Sequence, residues 1–175
     1  MDIDFLLIRR MKKGDEKASA VFIKKYYSEI LSYCLYHCYE TDYAEDLVQE
    51  TFIRFFQKLS NYQHMGKAKN YLYTIAGNLC KDCYRSKREI PMADLPELVS
   101  GENQNQKENN KLLIEWALGE LPEELREIVI LHYFQDFTYK EIAKILKIGE
   151  PLVKYRIKRA KELLRELCGE EDGTK

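Results

Sequence analysis

Apolar residues recur along this chain at spacings of three and four, the spacing of one helix face, and no strand-like alternation persists. Ile3 to Lys12 forms the first such segment. It breaks at Gly14-Asp15, where Asp15 can cap the next helix. That long helix is predicted from Ala18 to about Tyr39, with Val21, Phe22, Tyr26, Ile30, Leu31, Cys34 and Leu35 facing inward. Thr41-Asp42 opens a third helix running to about Leu59, and its stripe includes Leu47, Phe52, Phe55, Phe56 and Leu59. Ser60 to Lys69 reads as a loop. A fourth helix starts at Ala68 or Asn70, turns Leu72, Ile75, Ala76 and Leu79 inward and ends near Ser86.

From Lys87 to Asn110 the pattern lapses. Pro91, Pro96, Gly101 and the polar run Glu102 to Asn110 read as a flexible linker. Helical spacing resumes at Lys111 to Gly119 and again at Pro122 to Phe134. The expected architecture is therefore all-α, with two small helical domains: residues 1–88, a linker at 89–110, and residues 111–170.

The last stretch is the most explicit. Thr138 with Glu141 three residues on is a plausible capping box. Ile142, Ala143, Ile145 and Leu146 give that helix its buried side. Lys147-Ile148-Gly149 makes the turn, with Gly149 as the residue that tolerates unusual backbone angles. Pro151 fits only in a first turn, so a new helix begins near Glu150. On it Val153, Ile157, Ala160, Leu164 and Leu167 share one stripe, while Lys154, Tyr155, Lys158, Arg159 and Glu162 point mostly the other way. Six basic residues and one acid lie between Lys154 and Arg165. A charged helix face is often merely solvated. On the second helix of a helix-turn-helix it points to DNA instead.

Composition narrows the remaining choices. With 45% hydrophobic and 33% charged residues the chain suits a folded soluble protein, not a disordered one. The net charge is −1, so any affinity for DNA comes from local patches. No apolar run reaches membrane-spanning length, and Met1-Asp2-Ile3-Asp4 lacks the start of a signal peptide, so a cytosolic protein without membrane insertion is expected. Five cysteines, an odd number, argue against a disulfide framework. Cys34 and Cys38, with Cys80 and Cys83, could be imagined as a four-thiolate zinc site. Their spacings are those of helix faces without knuckle turns, and small buried thiols are the simpler reading. No metal or cofactor is assigned. His37, His64 and His132 show no spacing with acids or a nucleophile that makes a catalytic site, so no enzyme is expected.

Two segments together resemble a known family. Asp42-Tyr-Ala-Glu-Asp-Leu-Val-Gln-Glu-Thr-Phe52, followed by Asn70-Tyr-Leu-Tyr-Thr-Ile-Ala-Gly-Asn-Leu-Cys-Lys-Asp-Cys-Tyr-Arg85, resembles region 2 of bacterial sigma-70-type factors. Leu121-Pro-Glu-Glu-Leu-Arg-Glu-Ile-Val-Ile-Leu-His-Tyr-Phe134 with the helix-turn-helix resembles region 4. The short connection between them matches the extracytoplasmic-function subgroup. The resemblance implies a factor that binds core RNA polymerase, reads two promoter boxes and is held in check by an anti-sigma factor. It implies that Asp46, Gln49, Glu50 and Ile53 bind the clamp helices of the polymerase, a role their shared helix face can support. It implies single-strand reading of the −10 element by Tyr62, Gln63, His64 and Lys67 of the loop, with Lys69, Asn70, Asn78, Lys81, Arg85 and Arg88 of the helix after it. Duplex reading of the −35 element falls to Pro151, Lys154, Tyr155, Lys158 and Arg159. Relatives usually carry Trp where this chain has Tyr71, and Ser-Glu-Gly-Thr-Val-Lys-Ser-Arg where it has Gly149 to Arg156. The residues alone leave two other readings open: a stand-alone helix-turn-helix regulator with an N-terminal interaction domain, and a metal or redox sensor built on the four cysteines.

Overall fold

The computed structural model describes residues 2–38, 40–65, 67–87 and 104–167, the side chains of 83–87 and 104–109 excepted. Helix formation begins at Asp2, whose Oδ1 accepts the Asp4 amide at 3.0 Å and so satisfies an orphan donor of the first turn. α1 spans Ile3–Met11 and closes through a turn in which Gly14 takes φ 81°, a left-handed conformation that glycine adopts without steric cost. Asp15 caps α2 (Glu16–Cys38) as expected, its Oδ1 accepting the Ala18 amide at 3.1 Å. α3 spans Thr41–Gln57 and α4 spans Ala68–Lys87.

α2, α3 and α4 pack on one another, and α1 packs on α2. Their shared core is strongly aromatic. Phe22 is fully buried and stacks on Phe55 at 4.9 Å, with Tyr26 edge-on to it at 5.1 Å. Tyr33 meets Tyr73 edge-on at 5.0 Å. Two expectations change here. Val21 is 54% exposed, and the inward position near Leu31 belongs to Tyr33. α2 is apolar round much of its girth, so hydrophobicity alone marked its inward face poorly. Asp4 is the polar anchor of α1: it accepts from Tyr26 Oη and pairs with Lys25 Nζ at 2.7 Å. Burial, and next the hydrogen bond to Asp4, push the Tyr26 hydroxyl far above its ordinary range.

The polypeptide divides into two compact units, one holding Met1–Glu89 and the other the bulk of the chain from Ile90 onward. In the second unit α5 spans Gln104–Glu120, so helix is already present ahead of Lys111. The Gln-Asn-Gln-Lys-Glu run is polar, which read as linker, but it contains no Gly or Pro to stop a helix. The remainder of the expected linker, residues 88–103, lies outside the described residues. α6 (Glu123–Val129) continues into a π-helical turn, Ile130–Phe134, and Arg126 beneath it donates to the Leu121 carbonyl at 3.0 Å. α7 spans Tyr139–Leu146 and α8 spans Glu150–Leu167, which packs on α6.

Candidate functional site

The residues with expected roles fall into three groups. The first is a ridge on α3. Leu47, Val48, Phe52 and Phe55 turn inward, which leaves Asp46, Gln49 and Ile53 exposed and Glu50 half-buried on the outer side. These four are spaced i, i+3, i+4 and i+7 and so form one contiguous strip. Ile53 is 49% exposed, an apolar side chain flanked by an acid and an amide. Glu50 is already paired with Arg54 at 2.6 Å on the same helix.

The second group surrounds the loop after α3. Its backbone leaves the helix through a turn in which the Asn61 and Tyr62 amides bond the carbonyls of Lys58 and Leu59. Tyr62 is half-buried, stacks on Tyr71 at 5.0 Å and tilts against Phe55 at 5.5 Å. Burial, then the nearby Asp4 charge, push its hydroxyl up to about 12. Gln63 and Met65 face solvent. His64 does not: its side chain is 5% exposed, and Nε2 lies 2.6 Å from Asp2 Oδ2. That contact holds the Asp2 carboxyl below its usual value, so Asp2 accepts and His64 Nε2 donates. Lys12 reaches the same loop from α1, donating to the Tyr62 carbonyl at 2.6 Å and the Ser60 carbonyl at 3.3 Å. Between α1 and the loop is a cleft of about 360 Å³, walled by Phe5, Ile8, Arg9, Lys13, Tyr62 and His64.

On α4 the expected contact residues are placed unequally. Asn78 is exposed and Lys81 half-buried, while Lys69 is engaged with Glu29 at 2.7 Å. The Asn70 amide nitrogen is buried without a hydrogen-bond partner among the described residues. Lys67 is exposed at the end of the loop. The Arg85 side chain and all of Arg88 lie outside the described residues. The α1 contribution (Phe5, Arg9, Lys12, Lys13) escaped the sequence reading altogether. The one available signal was the basic pair Lys12-Lys13 at the end of a short helix, which composition does not connect to a loop fifty residues on.

The third group is the helix-turn-helix. The capping box is present in full: the Glu141 amide donates to Thr138 Oγ1 at 3.3 Å, and Glu141 Oε2 accepts the Thr138 amide at 3.0 Å. The turn differs from expectation. Lys147, not Gly149, takes the left-handed conformation, at φ 55° and ψ 43°. Its amide and that of Ile148 both return to the Ala143 carbonyl, which closes α7 from within. Gly149 is not in the left-handed region, and a Cβ there would meet only Pro151 Cδ at 3.6 Å, so the turn does not require glycine at this position. On α8, Val153, Ile157 and Ala160 are buried and Leu164 and Leu167 are half-buried. Pro151, Lys154, Tyr155, Lys158 and Arg159 are all exposed, Tyr155 by 64%. Lys154 is 3.2 Å from Glu150 and Arg159 is 3.1 Å from Glu162, both pairs within the helix. Arg156 turns back to α6 and pairs with Glu124 at 2.7 Å, so this member of the basic run fastens the unit together.

Cys34, Cys38 and Cys80 are buried core thiols, and Cys34 Sγ lies 3.9 Å from Cys80 Sγ. The Cys83 side chain falls outside the described residues. Among the described residues no helix is long and apolar enough to cross a membrane.

Comparison with known proteins agrees with both halves. Residues 22–90 match the family model for sigma-70 region 2, and residues 111–164 match that for sigma-70 region 4. The extracytoplasmic-function RNA polymerase sigma factor SigW of Bacillus subtilis is 30% identical, the match covering 91% of this chain and 93% of SigW. Two solved structures share the fold. CnrH, in complex with the cytosolic domain of CnrY, is similar with a TM-score of 0.75, 19% identity and coverage of 95% of this chain and 97% of that one. The sigma factor RpoE of Bartonella quintana, in complex with the anti-sigma factor NepR, gives a TM-score of 0.63, 22% identity and coverage of 86% and 98%. A region 2 match ahead of the helix-turn-helix does not favour a stand-alone regulator. With both regions matched in order and SigW aligned along nearly its whole length, the chain belongs to the sigma-70 family, in its extracytoplasmic-function group, whose members are non-enzymatic initiation factors that direct RNA polymerase to promoters.

Proposed function

We propose that this sigma factor divides the work between its two units. The first unit binds core polymerase and the opened −10 element, and the second, whose described part opens with α5 at Gln104, reads the −35 element as duplex, with the stretch ahead of α5 as the tether between them. The exposed strip Asp46, Gln49, Glu50 and Ile53 meets the basic clamp helices of the polymerase, with acids and an amide around a small apolar centre. The −10 strand passes along the loop and α4. There the α1–loop cleft, with its aromatic walls and basic rim, suits one unstacked base and its phosphate. Gln63 and Lys67 of the loop, with Lys69, Asn70, Asn78 and Lys81 along α4, supply polar and basic contacts, to which the resemblance adds Arg85 and Arg88; His64, turned onto Asp2, shapes the loop from within.

The observation that carries the reading is α8, which buries Val153, Ile157 and Ala160 and presents Pro151, Lys154, Tyr155, Lys158 and Arg159 outward from a helix-turn-helix. Pro151, Leu152 and Tyr155 depart from the pattern of the resemblance at the groove-facing start of this helix, so the family's usual −35 sequence is not carried over to this chain. The chain works without cofactor or catalytic centre, in the cytoplasm. An anti-sigma protein is expected to restrain it, as NepR partners RpoE of Bartonella quintana.

The test is reconstitution. Purified protein is mixed with core bacterial polymerase and assayed by run-off transcription on genomic fragments. New start sites, with Asp46→Arg weakening core binding tenfold or more at unchanged helicity, are the expected result. Folded protein that neither binds core polymerase nor yields starts overturns the reading.

A further inference from the structure

Residues 63–65 of the reading loop lie outside any helix, and the local turn reaches only as far as Tyr62. What holds the loop comes from far away in sequence. Asp2 Oδ2 takes His64 Nε2, 62 residues on, and Lys12 Nζ takes the carbonyls of Ser60 and Tyr62, 48 and 50 residues on. The two anchors are the cap residues of α1, Asp2 before its first turn and Lys12 after its last, so the helix spans the loop like a brace. Asp2 does two things with one carboxylate. Oδ1 caps the first turn of α1 while Oδ2 holds His64, so the start of the helix and the loop are fixed together. Opposite the brace, Tyr71 and Phe55 hold the Tyr62 ring.

We infer that α1 is a positioning element for promoter reading: Asp2 and Lys12 set the shape of the −10 loop without needing to touch DNA. This rests on the loop being the −10 reader, as proposed above. The charges allow a test by sign. An acid beside a site for an anionic strand repels that strand, so removing Asp2 for electrostatic reasons alone would strengthen binding. If Asp2 is a brace, removing it weakens binding.

The variant to make is Asp2→Ser in the full-length chain. Serine is as good a cap for α1, but is too short to reach His64. The brace predicts faster hydrogen exchange at the amides of residues 60–65, core polymerase affinity unchanged, and open-complex formation down about fivefold to tenfold. Lys12→Met keeps the aliphatic stem and should do the same without changing the salt dependence of initiation, whereas loss of a phosphate contact would lower that slope by about one. Lys12→Arg, which retains donors, should restore both readouts. Unchanged loop exchange in Asp2→Ser, or initiation that stays equal or rises, overturns the inference. If the unsubstituted holoenzyme itself fails to initiate, the −10 assignment falls, and the exchange measurement alone still decides whether α1 braces the loop.

Discussion

The loop at 58–65 and the helix-turn-helix at 138–167 are fixed by different kinds of contact. The helix-turn-helix is held mostly from within. Its capping box spans three residues and the Lys147 turn closes on Ala143, and only the seat of α8, a buried stripe and Arg156 against α6, comes from outside it. The loop is held from without, by the two cap residues of α1 and by rings from α3 and α4. The difference teaches where mutations act. Damage to the loop can originate anywhere in the first unit, whereas damage to α8 should come from its own neighbourhood.

The largest effect expected from this contrast is in the first unit. Phe22→Ala removes a fully buried ring stacked on Phe55, which in turn supports Tyr62, and should cost about 3–5 kcal/mol. Denaturant unfolding should show the first unit melting early while the helicity of residues 111–167 persists. A single shared transition would break the comparison. Smaller is Thr138→Ala, which loses the capping box and should cost the second unit about 1 kcal/mol, leaving exchange in the 60–65 loop unchanged. Lys158→Ala should lower −35 duplex affinity severalfold and reduce its salt slope by about one, read by titration at several salt concentrations. The smallest concerns pH. The Tyr62 hydroxyl is raised to about 12 in the fold, so its contribution is complete below the unfolded value near 10 and is lost as pH climbs from there through 12. Tyrosinate absorbance of the native protein against Tyr62→Phe should place that ionisation near 12. Ionisation at the ordinary value would mean that the ring is not shielded in its stack.

Legibility in the sequence divides along the same line. Thr138 with Glu141, Pro151, and the stripe Val153, Ile157 and Ala160 were readable because their partners sit three or four residues away. The strip Asp46, Gln49, Glu50 and Ile53 came from the family resemblance, and spacing added only that the four share one helix face. Asp2, Lys12 and the cleft between α1 and the loop were not readable, because no local spacing links positions fifty or sixty residues apart. His64 shows the cost of that gap: as a loop histidine it read as an exposed contact, and the fold turns it onto a carboxylate. Gly149 misled differently. A glycine at a turn invites a left-handed assignment, but α7 ends earlier and places Lys147 there, where the return bonds to Ala143 offset the strain.

The inward turn of Arg156 has a thermodynamic reach beyond the fold. A cation neutralised by Glu124 has no phosphate to meet and displaces no condensed counterion when DNA arrives. Six basic residues in α8 therefore overstate its ionic footprint, and duplex binding by this unit alone should be shallow in its response to salt. On the division of work proposed above, selectivity is a product of two modest affinities on one tether, in which occupancy of either box raises the local concentration of the other reader. Lengthening or cutting that tether would cost avidity without altering a single contact.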